Sequence, residues 1–193
     1  MKIIVTTFLD RLYDLLSQVP HLVTLLEKKD ISFIPSLKSW LEECESTLEK
    51  NHCQQIGEIA GIRAQLLSAS KGVYDKNFFF SSSLNTTRKI FHAIAPLLLN
   101  NAQNILQILF NTYSSYKEEA AKYMRQIILI SLQKNSFYPI WNCDCGISEK
   151  LNRLWQSFVA DKDLVQGTRQ ILASVNYADV LRIMDEIITE WNL

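Results

Sequence analysis

After Pro96, the apolar side chains Leu98, Ala102, Ile105, Leu106, Leu109, Phe110 and Tyr113 recur at intervals of three and four residues. That period gathers them on one side of an α-helix and scatters them over both faces of a strand. The same rhythm governs Phe8, Leu9, Leu12, Leu15 and Leu16 near the start of the chain. It returns in Leu37, Trp40, Leu41, Cys44 and Leu48, with Glu42, Glu43, Glu45 and Glu49 mostly opposite. A polar face against an apolar stripe marks a helix lying on a core. The chain has only five Gly and four Pro in 193 residues. Those residues punctuate turns, so their scarcity favours long helices over many short strands. The expected fold is therefore all-α: one bundle-like domain of seven to nine helices over residues 1–193. A sub-boundary falls in the irregular 71–85 stretch, and a two-lobed arrangement split there is the alternative.

Local signals place the elements. Thr6 or Thr7 is positioned to cap a first helix, which Pro20 should end, because proline lacks an N–H and crowds the preceding turn. His21–Lys29 reads as a short second helix. Pro35 suits the first turn of the next, and 35–50 with 52–70 reads as a helical hairpin stopped by Gly72. Two central helices follow, one beyond Pro96 and one from Ala120 to Leu132. Residues 136–146 form a loop. Three further helices are expected at 147–160, at 163–174 with Asp161 and Asp163 as caps, and at 177–191.

Charge narrows the function classes. Twenty basic and twenty acidic residues cancel, whereas a protein that rides on phosphate backbones is usually basic. The charge is unevenly spread: −2 over residues 1–70, +5 over 71–135 and −3 over 136–193. Pairing of the basic centre with the acidic flanks is the simplest reading. Nucleic-acid binding through that centre is the alternative. No signal peptide is recognisable, since Asp10 and Arg11 interrupt the first apolar run. No uninterrupted apolar run approaches the ~18 residues of a membrane span. A cytoplasmic protein with reduced thiols is expected.

Candidate sites are sparse. Cys143-Asp144-Cys145 supplies two thiols, but a structural zinc site needs about four ligands. His52 and Cys53 would have to complete it, and adjacent residues make a poor pair of ligands. Two ordinary loop cysteines are the expectation, with no metal and no cofactor. Arg88 and His92 lie four apart and so share a helix face, where an Arg and a His can position and protonate a phosphodiester. The pair loosely resembles the Arg–His signature of the HEPN family of all-helical ribonucleases, which implies a catalytic role for Arg88 and His92. The family leaves a longer gap between the two, and Lys89 stands where it carries a polar residue. Neither His21 nor His52 has a carboxylate cluster with which to form a general acid–base set. Phosphate-loop, nucleophile-elbow and zinc-protease motifs are missing.

Two features suit contact with other molecules. Asn100, Asn104, Gln107 and Asn111 make an uncharged amide stripe on the helix beyond Pro96, flanked by Asn101 and Gln103. Buried amides must find partners, so internal hydrogen bonds are expected, with a partner-facing seam as the alternative. Phe78, Phe79 and Phe80 with Tyr74 form an aromatic loop, which serves as a core plug or as an anchor for a partner. Base stacking there would draw on Lys71, Lys76, Arg88 and Lys89. Together these features suggest a non-enzymatic interaction module: an adaptor, an accessory subunit or a self-associating component.

Overall fold

A computed structural model describes residues 3–71, 73 and 87–193, with the backbone alone for 87–90 and 92. Phe78, Phe79, Phe80 and Tyr74 lie outside the described residues. The described chain is all-α, with eight helices and no strand. They are α1 (Val5–Glu27), α2 (Phe33–Lys50), α3 (Ile56–Ser70), α4 (Thr87–Gln133), α5 (Tyr138–Trp141), α6 (Ile147–Ala160), α7 (Val165–Ser174) and α8 (Tyr177–Glu190).

Two compact units share these helices. One is Asp10–Phe110; the other joins Met1–Leu9 to Asn111–Leu193. The boundary between these units falls within α1 and within α4.

In the Asp10–Phe110 unit, α2 and α3 pack as the expected hairpin. Their apolar stripes bury Leu37, Leu41, Leu48, Ile59 and Leu66. Trp40 is buried as well, and its indole N–H donates to the Leu15 carbonyl of α1 at 2.9 Å. That bond satisfies a polar atom that burial would otherwise strand. Across the outer face of the hairpin, Arg63 reaches Glu45 at 2.6 Å and Glu42 at 3.5 Å.

Pro20 does not end α1, which continues through it to Glu27. The side chain of Pro20 is exposed, so water can reach the backbone groups it frees. Val19 and Leu22 are buried on either side of it, as Leu12 and Leu15 are earlier. Burying one continuous stripe outweighs one lost backbone bond. The same logic joins the two expected central helices into α4. From Tyr113 to Ala120 the chain has neither Gly nor Pro, so nothing stops the helix.

Helix ends use left-handed residues without glycine. Lys29, His52 and Asn135 sit at φ 53°, and Asn192 at φ 54°. Each is followed by an N–H that reaches back five residues: Asp30 to Leu25, Cys53 to Leu48, Ser136 to Ser131 and Leu193 to Ile188. These are Schellman closures, which satisfy the last free carbonyls of a helix. They let helices terminate in a chain so poor in glycine.

In the other unit, α6, α7 and α8 pack on one another. Leu154, Phe158, Ile171, Val180, Met184 and Ile187 fill its core. Although apolar, Ile147 is 62% and Tyr177 is 43% exposed. Both stand at the first position of their helices, where the turn that would cover them has not begun. The short α7 presses close to α4: a Cβ at Gly167 would lie 3.0 Å from Cδ1 of Ile127.

The start of α1 is held by a residue that the sequence did not single out. Asp179, in the first turn of α8, is completely buried. Its carboxylate accepts from the Val5 N–H at 2.9 Å, the Thr6 N–H at 2.8 Å and the Thr6 hydroxyl at 2.7 Å. Asn176 caps α8 by accepting from the Asp179 N–H at 3.0 Å, and its amide donates to the Ile3 carbonyl at 3.1 Å. The negative charge thus meets the free N–H groups and the positive dipole end of α1. Thr6 does not cap α1 as expected; its hydroxyl is a donor to the residue that does.

Candidate interaction surface

Within Asp10–Phe110, α4 has two contrasting sides. Ile94, Leu98, Ala102, Leu106 and Leu109 are buried. Turned away from them lie Leu97, Asn101, Asn104 and Ile108, all exposed. Leu97 and Ile108 keep 47% and 66% of their surface accessible. The spacing of these four is four, three and four residues, which keeps them on one line along the helix. Asn100 and Gln107 border that line and are also exposed. From Ile90 to Tyr116 the sequence has no Asp, Glu, Lys or Arg. The amide stripe Asn100, Asn104 and Gln107 therefore lies on the exposed side of α4. Asn111, in the other unit, is exposed as well.

The order along that line is a palindrome. Leu97 and Ile108 are its apolar ends, and Asn101 and Asn104 its amide centre. Each amide carries both a donor and an acceptor. A surface of this kind is complementary to itself in chemistry as well as in spacing.

No protein-family model fits this chain, and no curated protein or solved structure is similar to it.

Three cations of the basic centre are paired within Asn111–Leu193. Lys117 meets Glu186 at 2.8 Å and Arg125 meets Glu190 at 3.1 Å. Lys134 meets Asp161 at 2.8 Å and Asp163 at 2.6 Å. Those carboxylates raise the Lys134 ammonium above its usual value, and Lys134 with the Asp163 N–H holds Asp161 below its own. Three of the eight basic residues in 71–135 are thus matched to acids of the 136–193 flank. For these three residues the pairing is the one that the charge distribution suggested. Asp161 follows α6, and its carboxylate accepts from the Asp163 N–H at 2.8 Å; neither aspartate caps α7.

Three concave surfaces lie in this same unit. A groove of about 370 Å³ runs between α4 and α8, rimmed by the Lys117–Glu186 and Arg125–Glu190 pairs over Ile183 and Ile187. A second, of about 240 Å³ between α4 and α7, is lined by Tyr123, Gln126, Gln166 and Gln170. A third, of about 280 Å³, lies beside Tyr113, Tyr116 and Val175.

The remaining candidates fall as follows. Arg88 and His92 sit one turn apart on the backbone of α4, and their side chains lie outside the described residues. Cys143 and Cys145 are joined in a disulfide across Asp144, which corrects the expectation of two reduced thiols. Their Cα atoms are 5.6 Å apart, within reach of a bond that the residues' proximity invites. His52 is exposed while its neighbour Cys53 is buried, so the two do not face one ligand. Among the described residues, no group of three or more His, Cys, Asp or Glu can hold a metal. Cys44 is buried in α2, and loss of water pushes its thiol well above the usual range.

One stretch of α4 also passes a composition test. Ala93–Gln133 is long and apolar enough to cross a membrane, with an 18-residue window at mean hydropathy 1.2. Amides interrupt its apolar run, which is why counting uninterrupted residues missed it. Of that window, 39% is buried against the rest of the chain.

Proposed function

We propose that this chain is a non-enzymatic helical interaction module that pairs with a second copy of itself along α4. The observation that carries the reading is the outward line Leu97, Asn101, Asn104 and Ile108. Two α4 helices related by an antiparallel two-fold axis through the middle of this line bring Leu97 against Ile108 of the second copy. The same axis brings Asn101 against Asn104. Apolar meets apolar and amide meets amide, as an isologous interface requires. With no formal charge in the stretch, identical surfaces do not repel. Amides at core positions of paired helices fix register by demanding their partners.

Two other readings fit less well. Phosphate binding would draw on the basic centre, of which Lys117, Arg125 and Lys134 already have carboxylates, while Lys76 and the side chains of Arg88 and Lys89 lie outside the described residues. Insertion in a bilayer would turn Asn100, Asn101 and Asn104 toward lipid, where unsatisfied amides are costly.

Sedimentation velocity over a range of concentrations tests the proposal. The expected result is a monomer–dimer equilibrium that Asn104→Lys weakens at least about tenfold, because each dimer would then bury two added lysines beside the axis. A chain that stays monomeric at every concentration overturns it, as does a dimer indifferent to Asn104→Lys and Ile108→Lys.

A further inference from the structure

We propose that Cys143 and Cys145 form a thiol–disulfide exchange site whose substrate is an accessible thiol, or its disulfide, on another molecule. The bond spans a single residue, Asp144. A disulfide strengthens a fold mainly by restricting the unfolded chain, and that gain grows with loop length, so one this short adds little. The neighbouring structure has its own supports. The Cys143 N–H donates to Ile140, the Cys145 N–H donates to Cys143, and the Phe137 and Trp141 rings lie 5.8 Å apart. The bridge is therefore poorly explained as a staple.

Its surroundings suit exchange. Both cysteines are half-exposed, and Asp144 and Gly146 beside them are exposed. A Cβ built at Gly146 meets nothing within 4 Å, so the approach from that side is open. Cys145 immediately precedes the N-cap of α6, Gly146, and no side chain caps that helix. Free N–H groups and the dipole at a helix start stabilise a thiolate. Lys150, one turn into α6, holds its ammonium 5.6 Å from the Trp141 ring and adds positive charge. Asp144 and Glu149 oppose it, and Arg153 pairs with Glu149. The other two cysteines, Cys44 and Cys53, are buried.

The step is a displacement at sulfur. An incoming thiolate attacks Sγ of Cys143 and forms a mixed disulfide as the Cys143–Cys145 bond breaks. The electron pair leaves on Cys145, beside the α6 terminus, as a thiolate. A second thiolate attacks the sulfur of the first donor, which releases Cys143 as a thiol and the donor as its disulfide. The pair gains two electrons, and two donor thiols lose them.

The test equilibrates the full chain anaerobically with glutathione and glutathione disulfide over a range of ratios. Free thiols are then alkylated and located by mass spectrometry. The expected result is a reversible passage of Cys143 and Cys145 between dithiol and disulfide while Cys44 and Cys53 stay thiols. Cys145→Ser should accumulate a glutathione adduct on Cys143, because the displacing thiol is gone, and slow the exchange by about tenfold or more. Repeating the reaction with a reduced, unfolded protein identifies the favoured donor: faster exchange than with glutathione points to protein thiols, and slower exchange to small ones. A pair that never oxidises, or one that excess glutathione leaves oxidised, overturns the proposal. So does adduct formation that Cys145→Ser leaves unchanged.

Discussion

Asp179→Ala removes the carboxylate that holds the start of α1, and the structure sets the size of the effect. Three buried donors lose their acceptor, the Val5 N–H, the Thr6 N–H and the Thr6 hydroxyl, and so does the part-buried Asn176 N–H at 3.4 Å. Asp179 is fully buried and Thr6 is 3% exposed, so water does not readily replace it. A buried donor left without a partner costs about 1–3 kcal/mol. Three of them would cost more than 3 kcal/mol, but removing a buried charge recovers part of that. The expected net loss is about 3 kcal/mol, or a fall in Tm of roughly 6–12 °C for a chain of this size. Urea unfolding followed by circular dichroism at the helical band measures it. Thr6→Val removes one of the three bonds and should cost about 1 kcal/mol. The double variant should fall short of the summed losses by about that amount, since both changes break the same hydroxyl bond. An Asp179→Ala protein within about 0.5 kcal/mol of the parent refutes the reasoning, as does strict additivity with Thr6→Val.

Other perturbations follow from the same geometry. Lys134→Met should lower Tm at neutral pH. Asp161 titrates below its usual value when folded, so its contribution is present above that value and disappears as acid protonates it. Lys134 titrates above its usual value, so its contribution holds through neutral pH and disappears in strong alkali. The gap between Lys134→Met and the parent, read as Tm against pH, should therefore be widest between about pH 5 and 9 and close on both sides. Gly61→Ala should stabilise by about 1 kcal/mol, because the added methyl meets open space in mid-helix α3 and alanine favours helix. Gly167→Ala should gain less or lose, because its methyl presses on Ile127; equal denaturation midpoints for the two variants would contradict the close packing of α7 on α4.

Much of this was written in the apolar spacing. Periodicity placed α2, α6 and α8 and the all-α class, because each stripe is long and faces a single core. Proline misled where a stripe continued across it: at Pro20 burial on both sides outweighs one missing bond, and propensity alone does not see that burial. Asp179 was hidden for a different reason. Its donors lie 173 and 174 residues away, and an aspartate in a helix's first turn looks like an ordinary solvated cap. The amide line was legible as a stripe but not as an outward one. Spacing fixes which residues share a face; only the buried set opposite, Leu98, Ala102 and Leu106, reveals which way that face points. The Cys143–Cys145 pair was visible as a motif, while its disulfide depends on how the loop before α6 turns.

Pairing along α4 is tested most directly by charge exchange at the centre of the line. One version of the chain carries Asn101→Asp and Asn104→Asp; the other carries Asn101→Lys and Asn104→Lys. Native mass spectrometry reads each version alone and then an equal mixture. Antiparallel pairing predicts monomers for each alone, since like charges would face across the axis, and a one-to-one dimer for the mixture. Monomers in all three samples from a dimeric parent, or dimers in all three, would contradict it.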